Sequence, residues 1–478
     1  MAAGASDFKS YSLWKKFLLS WTYSGGDYIS KWFNGWCFDP IATMPFFFLI
    51  VLWVAHTLDP DAVTATFATI VALSPIVLPV ALFVVFWVAW VHYIRFAFWF
   101  SPTCDPVLLM VELPPEVEKT PVAMEIFLTS VWNTGGETTF RHRVWRGQTR
   151  PVFSLEIAST EGRVNFYIHT RKVWRKIVEA RLYGQFPEAR VTEVEDYAAK
   201  IPWDLKKYGY WGAEYSKKVE PQALPIRTYV DFGLDQSPDK PETQTDPLTN
   251  IIEFLGTMGK GEHFWMQLVV KGRKQDEWYG FYRKHDHYRA PAKEAIKSIT
   301  RDAVKRAQEL TEDEASQKRV GERGATLMTE TEKRKVESIE RAMTKLTFEC
   351  GIRCLYIGER QHYNGINNAS VIRFFDTFNT SSGLDYINRI NVARGSSMFD
   401  YPWQDFMELR QDKVKHNLLF HYKHRAYFFV PYDQAAVFLN SEELATLWHF
   451  PSSVVKSPSL SRVPAKVSEA PPNLPTGA

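Results

Sequence analysis

Residues 152–171 read VFSLEIASTEGRVNFYIHTR. Phe153, Leu155 and Ile157 share one face of an extended chain, and Val164, Phe166 and Ile168 share one face of another. Glu161 and Gly162 stand between the two alternating runs, so the stretch predicts a β-hairpin. Its neighbours complete a larger unit. Residues 107–113 (VLLMVEL) read as a strand, ended by Pro114 and Pro115. Residues 120–132 read as a helix: Thr120 caps, Pro121 takes the first position, and Met124, Phe127, Leu128 and Val131 line one face. Residues 171–186 predict a second helix with Val173, Trp174 and Ile177 inward, stopped by Pro187. Residues 191–194 give a last short strand. The succession is β-α-β-β-α-β, the ferredoxin-like split unit.

After irregular, proline-containing stretches at 197–227 and 235–247, the pattern begins again from a boundary near Pro225. Residues 228–234 predict a strand. Leu248, Ile251, Ile252, Leu255 and Met258 mark a helix, and Phe264, Met266, Leu268 and Val270 alternate as a strand. A charged insertion at about 290–347 then intervenes. Ile296, Ile299, Ala303 and Leu310 form one seam, and Val336, Ile339, Met343 and Leu346 another, which predicts an antiparallel, coiled-coil-like helical arm. A strand at 348–357, a helix around 369–378 and a closing strand at 426–431 finish the unit. The expected fold class is α+β, with two tandem ferredoxin-like domains at 101–225 and 226–450.

Upstream, the chain changes character. Residues 41–58 and 62–94 carry no Asp, Glu, Lys or Arg. A helix needs about 20 apolar residues to cross a bilayer core. The two runs, joined by Asp59, Pro60 and Asp61, predict a transmembrane helical hairpin at 40–100, its second span centred on 75–94 with a Thr-rich loop before it. Lys9, Lys15, Lys16 and Lys31 precede the hairpin and Arg95 follows it, so both termini are expected in the cytoplasm, at an inner membrane. Within 1–39, Leu13, Trp14, Phe17, Leu18 and Trp21 recur at helical spacing beside Lys15 and Lys16, as in an interfacial helix.

The formal net charge is +3 over 478 residues. That argues against a dedicated polyanion binder, although a local basic face remains compatible with it. Four cysteines imply no disulfide framework. No phosphate-binding loop, zinc-protease helix or nucleophile elbow occurs, so no catalytic residue, cofactor or metal ligand is assigned. Arg141, Arg143, Arg146 and Arg150 form a basic loop. It is either a solvated face or a contact for nucleic acid or lipid phosphate. Tyr167 is expected to point outward from its strand.

Residues 399–405 (FDYPWQD) and 441–451 (SEELATLWHFP), with Ser457, Pro458, Arg462 and residues 471–475 (PPNLP), carry a pattern. Residues 131–137 (VWNTGGE) and 150–157 (RPVFSLEI) belong to it. It resembles the region just upstream of the motor in bacterial, membrane-anchored type IV secretion and conjugation coupling ATPases of the HerA/FtsK-like family. The motor's phosphate loop does not follow, so no catalytic residue carries over. The resemblance implies a non-enzymatic subunit that docks a separate motor ATPase through the Pro-rich tail at 451–478. Trp448, Phe450, Pro471, Pro472, Asn473, Leu474 and Pro475 are its contact residues. The alternative is a membrane-tethered nucleic-acid-binding module. The expected partners are the lipid bilayer, the motor ATPase, DNA and further copies of the chain.

Overall fold

The structure is a computed structural model. It describes residues 49–451 except 52, 55, 100, 102–104, 114–118, 138, 236–245, 275–276, 280–281, 285, 310–327, 380–386, 397–408, 430–431 and 434–435. Helix α1 (Pro60–Trp99) is 40 residues long and contains Pro75 and Pro79. Beyond it lie nine strands of one antiparallel sheet: β1 (Pro106–Glu112), β2 (Val152–Thr160), β3 (Arg163–Arg171), β4 (Arg190–Val194), β5 (Tyr208–Lys217), β6 (Glu262–Gly272), β7 (Thr347–Glu359), β8 (Ile390–Gly395) and β9 (Val437–Asn440). Their order is β8-β5-β7-β6-β2-β3-β1-β4, and β9 pairs with the start of β7.

This corrects the expected two-helix hairpin followed by tandem ferredoxin-like domains. The two halves are not separate domains, because β2 and β6 pair along their whole length, from Val152↔Lys271 to Thr160↔His263. One hydrophobic core runs beneath both, from Val107 and Phe166 to Ile352 and Ile390. The hairpin expectation fails as well. Among the described residues one helix is long and apolar enough to cross a membrane. Its Thr-rich start is helical rather than looped. The first apolar run contributes a shorter helix, Leu49–Leu58. Residues 41–48 and the expected interfacial helix lie outside the described residues.

One face of the sheet is covered by α2 (Pro121–Val131), α4 (Arg175–Gln185), α5 (Pro247–Gly256), α8 (Ile366–Ile372) and α10 (Ser441–Leu447), whose buried residues join the main core. In α4 the inward residues are Val178 and Leu182; Ile177, and Val173 in the 3-10 turn before the helix, are exposed, which corrects the expected face there, while Trp174 packs on the core as expected. The other face is covered by a 3-10 turn at Tyr197–Lys200 and by α9 (Leu409–Lys423). Tyr197, Leu418, Leu419 and Tyr422 meet Tyr167, Trp265 and Leu355 there. Tyr167 is therefore stacked on Tyr197 rather than turned outward.

Three strand assignments also change. The second half begins with β5, from the stretch expected to be irregular, and residues 228–234 form turns. β8 forms its edge beside β5 and β9 is its last strand, whereas Phe428–Phe429 pairs with Tyr432–Asp433 in a small separate hairpin. Between β6 and β7, helices α6 (Arg289–Glu309) and α7 (Glu330–Thr344) lie side by side, with Arg306 bonded to Glu332. Their base is seated by Ile296, Ile339 and Met343 against Ala223, Leu224 and Phe438.

Candidate membrane-proximal site

The sheet's strand ends converge beside the foot of α1. Pro106 of β1 pairs with Arg171 of β3. Val152 of β2 pairs with Lys271 of β6, and Lys271 with Glu349 of β7. Helix α1 is exposed along residues 60–86, where every described side chain is open or half-open, and becomes covered only from Trp87 onward. Phe96 is fully buried. Trp99 packs with Val152, Tyr427 and Phe428, and the Arg171 guanidinium lies 5.3 Å from the Phe98 ring and 5.5 Å from the Trp99 ring.

The loop between α2 and β2 wraps this foot. It carries a short helix, α3 (Phe140–Val144), capped by the Thr139 hydroxyl, which accepts from the His142 amide. The Trp90 indole donates to the Val144 carbonyl at 2.9 Å. Trp87 stacks on Phe140 with ring centres 6.2 Å apart, and Trp90 meets Trp145 edge-on at 6.1 Å. Gly147 closes the wrap. Its φ is +60°, and a Cβ there would stand 2.2 Å from the Ile94 carbonyl oxygen, so only glycine fits.

Of the four arginines expected in a basic loop, Arg150 is structural. Only 2% exposed, it donates to Glu137 at 3.2 Å, to Glu349 at 2.8 Å and to the Gly272 carbonyl at 2.9 Å. It ties the loop to β6 and β7 and offers nothing to nucleic acid, a correction to its expected role. Burial opposes the charged form of Glu349, but Lys271 and Arg150 outweigh it and hold the carboxyl below the ordinary range. Glu137 is held low in the same way by Arg150 and Lys271. Arg141 and Arg146 are exposed, and Arg143 is half-buried. The structure thus places the basic residues at the base of the apolar helix, a proximity no local pattern in the sequence carries.

A second polar cluster lies on the sheet face under α9. Arg425 grips Glu156 with Nε at 3.0 Å and Nη2 at 3.1 Å, and also bonds Asp196. The Tyr197 hydroxyl donates to Glu156 at 2.7 Å and meets the Tyr422 hydroxyl at 2.7 Å, while Gln267 donates to Glu156 at 2.9 Å. Burial pushes the Glu156 carboxyl up, but the Arg425 charge and hydrogen bonds win and leave it below the ordinary range. Each carboxylate oxygen is occupied from within the fold, so the cluster locks α9 and the 197–200 turn onto the sheet. Sequence reasoning did not find it, because its members are scattered between Ser154 and Arg425 without a motif.

Trp448 and Phe450, expected to anchor a partner, are in the core: 0% and 3% exposed, they pack on Phe166, and Phe450 also packs on Phe186. They present no surface, which corrects that role. The helix before them, α10, is capped by Asn440, with Glu443 completing a capping box. Pro471, Pro472, Asn473, Leu474 and Pro475 lie outside the described residues.

Residues 106–462 match the family described as a domain of unknown function, DUF8128, and the chain belongs to that family. No curated protein matches the sequence.

Proposed function

We propose that this DUF8128 member is a membrane-anchored, non-catalytic platform. Helix α1 crosses the bilayer, and the nine-stranded body is held against the cytoplasmic face. The observation that carries this reading is the contrast along α1. Residues 60–86 are apolar and open over about 40 Å at 1.5 Å per residue, enough for a hydrocarbon core of about 30 Å. The next three turns are pinned to the body by Trp87, Trp90, Phe96 and Trp99. Trp at the point of emergence and arginine beyond it match the interfacial belt and the positive-inside bias. The opposite end carries Asp59 and Asp61.

The non-catalytic part of the reading rests on the sequence, which carries no phosphate-binding loop, zinc-protease helix or nucleophile elbow. The sequence resemblance to coupling ATPases adds a partner, a separate motor ATPase docked through the tail. With Trp448 and Phe450 in the core, that docking falls to residues 457–478 alone. The nucleic-acid alternative loses support with Arg150 and Tyr167 both enclosed.

Two measurements test the reading. The full chain should stay with membranes through alkaline carbonate extraction; recovery in the soluble fraction would refute the anchor. Deleting residues 457–478 should leave the body folded and abolish co-purification with a coupling-type ATPase. A complex that survives the deletion at unchanged affinity refutes the docking role.

A further inference from the structure

We propose that the loop at residues 139–147 is a binding collar for the headgroups of anionic phospholipids. The inference rests on the membrane reading of α1 and adds a ligand to it. The continuously open part of α1 ends at Phe86, with Val88 still exposed beyond it, and the collar begins at Trp87, which stacks on Phe140. The collar therefore sits at the depth where hydrocarbon gives way to headgroups.

Its chemistry is suited to that layer. Phe140 is 36% and Trp145 62% exposed, yet both rings are held against α1 by Trp87 and Trp90. Aromatic rings open to their surroundings at the end of a membrane span favour the interfacial zone. Between and beside them, Arg141 and Arg146 are exposed, where guanidinium groups pair with phosphate oxygens. Lys172, at the end of β3, adds a further exposed cation, offset by Asp105 3.9 Å away. The loop is not free to swing away. Gly147 holds its last residue against Ile94, and Arg150, three residues further on, is tied to Glu137 and Glu349. A preorganised cationic and aromatic rim, continuous with a bilayer span, selects an anionic lipid over a free anion, because the rings have nothing to gain from a free phosphate.

The test uses the full chain in neutral detergent. Its thermal unfolding midpoint is followed while phosphatidylglycerol, phosphatidylcholine, inorganic phosphate or a duplex oligonucleotide is added. A ligand that binds only the folded state raises the midpoint. The expected result is a rise with phosphatidylglycerol that weakens with salt, and none with the other three. Removing both charges as Arg141→Gln/Arg146→Gln should weaken the apparent phosphatidylglycerol affinity about 25-fold, roughly fivefold per arginine. These exposed substitutions should leave the midpoint without lipid unchanged. An equal rise with phosphatidylcholine, a rise reproduced by phosphate or the oligonucleotide, or an undiminished rise in the double variant would overturn the collar. Failure of the underlying membrane reading is seen separately, as failure of the full chain to float with neutral phosphatidylcholine vesicles.

Discussion

Lys217 and Glu443 form an ion pair at 2.6 Å whose side chains are both fully enclosed. The same carboxylate accepts from the Ile226 amide at 2.9 Å and from the Asn440 amide at 2.9 Å. It joins β5 to the cap of α10. Removing one partner leaves a buried charge alone, so Lys217→Met should lower stability by about 3–5 kcal/mol. Changing both, as Lys217→Met/Glu443→Gln, should recover part of that loss in a denaturant titration. Additive losses would mean that the two side chains do not act as a pair. Two other residues contribute to the pH dependence, beside His169 and His424, which burial also pushes down, to about 4. His421 is 2% exposed, and burial, aided by Arg353, drives its imidazole well below 6.5. The unfolded chain takes up that proton below pH 6.5 while the folded chain does not. Stability therefore falls as pH drops from that point, by up to about 1.4 kcal/mol per pH unit. Glu156, depressed below 4.5, adds stability above that value that is lost as pH falls through its folded pKa. His421→Gln should make the decline of the unfolding midpoint between about pH 6.5 and 5 shallower, leaving the share of His169 and His424; an unchanged slope would assign the titration to the other groups. None of these residues was legible in the sequence, since no local pattern marks Lys217, Glu443 or His421 for burial. Lys217 and Glu443 meet across more than 200 positions of chain.

At the level of elements, the strands that alternate were readable and those that do not were missed. In the 152–171 hairpin and in β6, one face carries large apolar residues at every second position, which is the signal of a pleated strand. Strand β5 (YGYWGAEYSK) is enclosed on both faces and carries glycines where neighbours press in. A Cβ at Gly212 would meet Leu418 at 2.5 Å, and one at Gly209 the Tyr363 ring at 2.6 Å. Those glycines erase the alternation. The same kind of close approach governs the foot of α1. Gly147→Ala should force the loop off Ile94, since both the positive φ and the 2.2 Å approach forbid a methyl group. Hydrogen exchange should then rise at the amides of residues 94–99 while β6 and β7 stay protected. Unchanged protection at residues 94–99 would mean that the loop does not hold the helix.

At the scale of the whole molecule, the sheet and the course of α10 decide what can fold alone. Helix α10 comes from the far end of the described chain, yet it packs on α2. Its Ser441 hydroxyl donates to Glu125 at 2.8 Å, a carboxylate also bonded by Tyr229 at 2.6 Å and Lys345 at 2.8 Å. Burial opposes the charge on Glu125, but these bonds hold its pKa below the ordinary range. Trp448 and Phe450 then fill the space over Phe166. A fragment of residues 101–225 lacks β6 along one edge of β2 and lacks this aromatic plug. It should show no cooperative thermal transition, whereas a folded, monomeric fragment would restore the two-domain division read from the sequence. That division was drawn from repeating local patterns, which are blind to an edge-to-edge union of two halves. That an apolar span lies within residues 62–94 was legible from composition, though not the single helix Pro60–Trp99 that contains it, and its meaning for function rests on which side of a bilayer its two ends lie. Single cysteines at Asp61 and Arg146, with Cys37 and Cys104 changed to Ser and Cys350 and Cys354 buried, place the two ends directly. In whole cells an impermeant thiol reagent should label the cysteine at 61 at once and the one at 146 only after permeabilisation. Labelling of both from the same side would show that α1 does not cross the membrane.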